Sequence, residues 1–303
     1  MKMETPTVFA GLRLRNPTIL ASGILGLSGE FIGRLVEAGV GAVTTKSSDV
    51  RGREGYPNPT VVEVPCGMLN ALGLPNPGVG LMKREIMEAK RFGIPVVGSV
   101  FGYSDEEYVE AASTVEEAGA DAVELNVSCP HVKEVGEIGQ NPRLLAGVVR
   151  AVKSAVRKPV LVKLSPNVAD IAAVGKVAEE AGADGLVAIN TVKAMAIDVD
   201  VAKPVLAAGF GGLSGPAVKP IAVRCVYELY EAVNIPIAGV GGIVSWQDAV
   251  EFILAGARAV EVGTGVLYRD LSVFSEINEG IRKYMEDKGY RSLDEFVGLA
   301  HRK

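Results

Sequence analysis

Two lysines, two asparagines and a cysteine stand where short apolar runs give way to polar residues. Lys46 closes Val43-Thr44-Thr45-Lys46 and Lys163 closes Val160-Leu161-Val162-Lys163. Asn126 leads into Val127-Ser128-Cys129-Pro130-His131, and Asn190 is followed by Thr191. A lone lysine at such a place usually snorkels to solvent, but two facing one cavity would stabilise an anion. An asparagine amide carries both donor and acceptor, which suits the edge of a cyclic imide or amide such as a pyrimidine. Asn70, in Leu69-Asn70-Ala71-Leu72-Gly73-Leu74-Pro75-Asn76-Pro77-Gly78, offers a third amide, although asparagine in a Gly/Pro loop commonly only makes a turn. Most cysteines are small buried hydrophobes. Cys129 differs in lying between polar neighbours, where nearby positive charge can bring a thiol of ordinary pKa about 8.5 into working range. Cys225 sits in a helical pattern and reads as core; Cys66 has a weaker case than Cys129. His131 could orient a ligand or cap its loop, and His301, near the end of the chain, is expected in solvent.

Glycines follow the last two apolar runs, in Gly239-Val240-Gly241-Gly242 and Gly263-Thr264-Gly265. Glycine leaves backbone N–H groups bare, and beside a helix N-terminus such groups bind a phosphate dianion. One such pair could serve only a tight turn; two in succession favour phosphate.

The elements that must position these groups come from two alternating phrases. One is a helix end, a Gly stop and a short apolar run, at Gly39, Gly119, Gly182 and Gly256; glycine just past a helix terminus closes the last turn in the left-handed conformation. The other is a proline opening a strand, at Pro17, Pro95, Pro159 and Pro236. Alternation gives eight strands with helical patterns between them, such as 106–117, 142–156, 168–181 and 245–255. Parallel βαβ units with right-handed crossovers follow, and at this length they close into an α/β fold, a (β/α)8 TIM barrel. An open doubly wound sheet is disfavoured, because no Gly-x-Gly-x-x-Gly follows the first strand. Insertions after strands 2, 4 and 6 are expected to form lids; 47–94 carries a hairpin-like piece, and 191–235 contains Gly211-Gly212-Leu213-Ser214-Gly215. Residues 1–303 read as a single domain. On a barrel the strands deliver residues to one C-terminal mouth: Ser22 and Gly23, Lys46 and Ser47, Ser99, Asn126 with Cys129, Lys163 with Ser165, Asn190 and Thr191, Gly241 and Gly242, Gly263 and Thr264.

Composition narrows the function. The 303 residues are 48% hydrophobic, with 31 basic against 36 acidic residues and a net charge of −5. That balance argues against nucleic acid or an anionic membrane as partner. No run approaches the roughly 18 apolar residues of a membrane span, and the first residues lack the apolar region of a secretory signal, so a cytoplasmic protein is expected. Three scattered cysteines and two histidines suit neither a disulfide framework nor a metal cluster, so no metal site is expected.

Taken together, the residues resemble the class 1 dihydroorotate dehydrogenases, most closely their archaeal and NAD-linked (type B) forms, almost end to end. The likeness rests on Ala21-Ser22-Gly23, Thr44-Thr45-Lys46-Ser47, Leu69 to Gly78, Asn126-Val127-Ser128-Cys129-Pro130, Val162-Lys163-Leu164-Ser165-Pro166-Asn167, Ile189-Asn190-Thr191, Gly211 to Gly215 and the late glycine pairs. The resemblance implies flavin-dependent oxidation of dihydroorotate to orotate in pyrimidine biosynthesis, with FMN as cofactor. Its phosphate would lie on Gly215, Gly241, Gly242, Gly263 and Thr264, and its ribityl chain and ring on Ser22, Lys46, Ser47, Ser99, Asn126, Lys163 and Ile189. Lys163 would face the pyrimidine end of the ring. Substrate would be held by Lys46, Asn70, Ala71, Leu72, Gly73, Leu74, Asn126, Asn190 and Thr191, with Cys129 as catalytic base. His131 stands where the family usually has asparagine and where dihydropyrimidine-reducing relatives also have histidine, and Ser99 replaces a family asparagine. The resemblance also implies a homodimer core and a partner electron-transfer flavoprotein subunit, in a heterotetramer, carrying FAD and an iron–sulfur cluster; this chain lacks the clustered thiolates for one. Fumarate reduction is the competing route for the electrons.

Four other readings remain open on the residues alone. A tRNA-dihydrouridine synthase would want a basic surface. A non-redox barrel isomerase or lyase would use the late glycines for a substrate phosphate. A flavin barrel could also act on another dihydropyrimidine, of the dihydrouracil type, or serve as a non-catalytic FMN-binding subunit.

Overall fold

All four glycine stops end helices with the glycine in the left-handed region, φ being 93° at Gly39, 92° at Gly119, 103° at Gly182 and 121° at Gly256. A short buried strand follows each one. The computed structural model describes residues 5–26, 28–128 and 133–302. Within them, eight parallel strands close a barrel in chain order: Thr18–Leu20, Ala42–Thr44, Val96–Val100, Ala122–Asn126, Val160–Leu164, Gly185–Ala188, Ile237–Val240 and Ala257–Val262. Closure comes from Val262 pairing with Leu20. The expected (β/α)8 barrel is the fold.

Helices Gly29–Glu37, Val79–Ala89, Asp105–Glu117, Pro142–Ala155, Ile171–Glu180, Lys219–Ala232, Trp246–Leu254 and Ser272–Lys288 surround the strands. Their starts are encoded locally. Ser104, Asn141, Asp170 and Ser245 each cap a helix through a side-chain oxygen, and Ser245 forms a capping box with Asp248. Outward strand residues join the helices in one large core; Cys225 is wholly buried there, as its helical pattern suggested.

The barrel's interior is layered. Ile19, Ala42, Val97, Ala122, Leu161, Val187, Ala238 and Ala259 fill its lower part, and Phe9, Leu12 and Leu14 pack beneath them. The latter come from an antiparallel hairpin, Thr7–Phe9 with Leu12–Leu14, that plugs the N-terminal end. Because strand side chains alternate with period two, the inward residues one step further along are Thr44, Ser99, Glu124, Lys163 and Glu261. There the filling turns from apolar to polar, and the mouth opens above it.

The excursions after the second and sixth strands meet. Val61–Val64 pairs with Gly67–Asn70, Gly67–Asn70 with Gly211–Ser214, and Gly211–Ser214 with Val192–Ala194. The resulting four-stranded antiparallel sheet stands over one side of the mouth and has a small core of Leu69, Ala71 and Leu206. The connection after the fourth strand includes Cys129 to Val132, outside the described residues, before the helix Lys133–Gln140. His301 departs from expectation. Its ring stacks on Tyr227 with centroids 3.7 Å apart, Nε2 lies 3.0 Å from the Ala255 carbonyl, and Nδ1 lies 3.3 Å from Glu231. Aromatic stacking, invisible in the local sequence, holds the C-terminal segment onto the barrel's helices.

Candidate active site

A cavity of ≈ 380 Å³ opens at the C-terminal mouth, within the usual size of small-molecule and cofactor sites. Strand ends from most of the barrel reach it: Ser22, Lys46, Ser47, Asn126, Lys163 and Ile189 line it, as do Asn190 and Thr191. Asn70, Leu72, Gly73 and Leu74 enter from the first excursion, and Gly241, Gly242, Gly263 and Thr264 from the last two strands. Met68 and Leu213 of the four-stranded sheet add apolar wall that the sequence reading did not single out.

Three of the expected contacts are not on this wall. Ala71 is buried in the core of the excursion sheet, one residue beyond Asn70, so its side chain points to the opposite face. Gly215 lies just behind the cavity, its carbonyl against Gly242. Ser99 is wholly buried below the floor, where it bonds to Ser47 and Glu124. Cys129 and His131 fall outside the described residues; Ser128, immediately before them, is buried at the mouth.

A directed hydrogen-bond chain runs inward from the cavity. The Asn126 amide donates to Ser47 Oγ at 3.1 Å, Ser47 and Ser99 share a bond of 2.8 Å, and Ser99 Oγ donates to Glu124 Oε1 at 2.8 Å. Since Ser99 spends its only proton on Glu124, Ser47 must be the donor to Ser99. On the other face of Asn126, Oδ1 accepts from Ser128 N at 3.3 Å and Ser128 Oγ at 3.2 Å. Asn190 Nδ2 donates to Ser128 Oγ at 2.8 Å. These bonds fix the orientations of both asparagines facing the cavity.

Lys163 sits at the floor over two carboxylates. Its Nζ lies 3.1 Å from Glu261 Oε2, 3.8 Å from Glu124 Oε2 and 3.3 Å from Ser22 Oγ. Glu124 and Glu261 are 0% and 2% exposed. Burial alone would depress the Lys163 ammonium, but the two carboxylates outweigh it and raise its pKa above the ordinary lysine value. Desolvation pushes Glu261 up to about 7, with Lys163 opposing the rise and Glu124 adding to it. Neither glutamate was singled out from sequence. The available signal was period two: in Ala122-Val123-Glu124-Leu125-Asn126, an inward Asn126 requires an inward Glu124.

The glycines separate turn-making from cavity-making. At Gly242, φ is +78° and an added Cβ would come within 2.8 Å of the Gly215 carbonyl and 2.9 Å of Lys219 N, so the chain itself needs glycine there. At Gly263 an added Cβ would meet only Ala21, at 3.7 Å. The fold would accept a side chain at Gly263, yet the residue lines the cavity bare. With Thr264 and Gly265 beside it, its backbone forms a small concave end suited to a phosphate. This end, a floor cation, apolar walls and paired amides fit flavin mononucleotide with a planar ligand against it. Among the described residues no group of His, Cys, Asp and Glu is arranged to hold a metal ion, and no helix is long and apolar enough to cross a membrane.

Comparison with known proteins identifies the family. The model of the dihydroorotate dehydrogenase family matches residues 5–285. The chain is 52% identical over 293 residues to the catalytic subunit of dihydroorotate dehydrogenase B (NAD+) of Pyrococcus furiosus, covering 96% of this chain and 97% of the relative. It is 50% identical over 293 residues to the subunit of the same name from Methanocella arvoryzae, covering 96% of each. The solved structure of the Eimeria tenella dihydroorotate dehydrogenase in complex with ferulenol superposes with a TM-score of 0.87 at 22% identity, over 99% of this chain and 89% of that one, a likeness of fold. Eight-stranded closure, the site at the mouth and near-complete coverage by the family model lead to one assignment: the chain belongs to the dihydroorotate dehydrogenase family.

Proposed function

We propose that this chain is the catalytic subunit of an NAD-linked dihydroorotate dehydrogenase, oxidising dihydroorotate to orotate with bound FMN. One observation carries the reading. A single cavity brings together a bare glycine end, the cations Lys46 and Lys163, and the amides of Asn70, Asn126 and Asn190. A sugar-phosphate barrel would have use for the glycine end, but not for three amides and a floor lysine with apolar walls.

Gly241, Gly242, Gly263 and Thr264 would hold the FMN phosphate; Ser22, Ser47, Lys163 and Ile189 would hold the remainder. Bound there, FMN supplies a two-electron acceptor for hydride. Asn126 and Asn190, their orientations set by Ser47 and Ser128, present donor and acceptor atoms to the substrate's imide and amide edges. Asn70 is steadied by its own bond to the Gly212 carbonyl, at 3.3 Å. Lys46 provides positive charge for the substrate carboxylate. Cys129 takes the proton from the ring carbon beside the carbonyl, while the neighbouring carbon gives up hydride. Holding both reactants in one walled cavity makes the transfer effectively intramolecular.

The relatives' name, catalytic subunit, supports a partner. We assign that role to an electron-transfer flavoprotein subunit carrying FAD and an iron–sulfur cluster, joined to a homodimer of this chain in the cytoplasm. Anaerobic mixing with dihydroorotate tests the activity: the flavin band should bleach, and dihydrouracil should leave it unchanged. Bleaching by dihydrouracil alone would overturn the substrate, and a colourless protein that takes up no FMN would overturn the reading.

A further inference from the structure

Below the cavity floor lie more acidic groups than one lysine can balance. Glu124 and Glu261 reach the barrel axis from the fourth and eighth strands, and Lys163 from the fifth. Among the described residues these are the charged groups facing one another at this level; the second and third strands contribute the uncharged Thr44 and Ser99 beside them, and Lys46 is the next cation, on the cavity wall. With both carboxylates ionised the cluster carries one net negative charge in a region of low dielectric, where charges interact strongly. Its hydrogen bonds are also incomplete. Glu124 Oε1 accepts from Ser99, but Glu124 Oε2 is buried with no hydrogen-bond partner. Lys163, which alone of the three lines the cavity, joins this cluster to whatever lies above.

We propose that Glu261 and Glu124 are positioning residues that hold Lys163 against the cofactor ring, and that this pair of carboxylates takes up one proton as negative charge develops on that ring. The inference rests on the functional reading above. Its balance is simple: the two electrons stay on the ring, and one proton passes from solvent, by way of the cavity, to a carboxylate oxygen of the Glu124–Glu261 pair. The cluster goes from net −1 to neutral, and no electron moves at either glutamate. Each carboxylate already accepts one bond, Glu124 Oε1 from Ser99 and Glu261 Oε2 from Lys163, so the added proton belongs to the interacting pair. A rise of Glu261 toward neutrality, driven by burial, puts this exchange in the physiological range. Linkage makes it reciprocal, so protonating the cluster also favours the charged ring.

The test counts protons rather than turnovers. The FMN-loaded chain is photoreduced without substrate in weak buffer containing a pH indicator, from about pH 6 to about pH 9. The wild type should take up more protons per flavin than Glu261→Gln, by up to one, with the excess largest around and above neutral pH. Glu124→Gln should shift the pH at which the excess appears. Equal counts in the wild type and Glu261→Gln at every pH would overturn the inference while leaving the functional reading intact. Failure of the wild type to retain FMN would overturn both. Should Glu261→Gln fail to load, infrared spectra of the unloaded proteins decide instead. A buried carboxyl C=O band that titrates near neutral pH in the wild type and is lost in the variant supports the proposal. Its absence in the wild type overturns it.

Discussion

The side-chain amide of Asn190 donates to Ser128 Oγ across 2.8 Å, tying the end of the sixth barrel strand to the residue immediately before Cys129. The bond leaves the Asn190 carbonyl oxygen accepting from Thr191 N at 2.7 Å, so the amide is held from both ends. Asn190→Ala should therefore weaken orotate binding by roughly 10- to 100-fold, the loss of one or two ligand hydrogen bonds, with FMN content unchanged. Orotate titration of the flavin spectrum measures it.

Replacing the proposed base, Cys129, should change chemistry rather than binding. Cys129→Ser should bind FMN and orotate but reduce its flavin with dihydroorotate on the order of 100-fold or more slowly at neutral pH, because a hydroxyl is a far poorer base than a thiol. Raising the pH should recover part of the rate. Stopped-flow flavin bleaching across pH checks both statements.

The two kinds of glycine should separate on substitution. Gly263→Ala faces only Ala21 at 3.7 Å, so its melting temperature should match the wild type while its FMN affinity falls at least about tenfold, equivalent to roughly 1.4 kcal/mol. Gly242→Ala, with a positive φ and backbone atoms inside 3.0 Å, should lose stability as well. Thermal melts of the flavin-free proteins, followed by FMN titration, distinguish them.

Ser99 gives a stability prediction. It satisfies Glu124 Oε1 and accepts from Ser47, so Ser99→Ala leaves a buried carboxylate oxygen unpaired and should cost about 1–3 kcal/mol. Urea denaturation measures the loss.

Glu261 predicts how stability varies with pH. Its folded pKa lies above the ordinary 4.5, at about 7, so its contribution is fully present below about pH 4.5 and is lost as the pH rises through about 7. Glu261→Gln should flatten that decline, which amounts to a few kcal/mol at most. Melting curves of the two proteins, compared between those pH values, should converge at the acidic end and diverge at the basic end.

Local signals were strong wherever the chemistry was local. The Gly39, Gly119, Gly182 and Gly256 stops, and the prolines before four strands, announce the barrel because a left-handed helix end and a strand lacking its first donor are properties of a few adjacent residues. Lys46, Asn126, Lys163 and Asn190 could be picked out because barrel strands all exit at one end, and the cavity does collect them. Ser99 shows the limit. Its position near a strand end suggested the mouth, but strand length decides depth, and Val96–Val100 ends one residue past Ser99, with its side chain on the inward face below the floor.

The order of elements, the closed barrel and most of the polar groups at its mouth were legible in the amino-acid sequence alone, since each depends on periodicity and on residues close together in the chain. Tertiary structure alone decided that Glu124, Lys163 and Glu261 meet beneath the floor, that two distant excursions join in one sheet, and that His301 stacks on Tyr227. These contacts join residues far apart in sequence. Their energies depend on burial and distance, which no local pattern encodes.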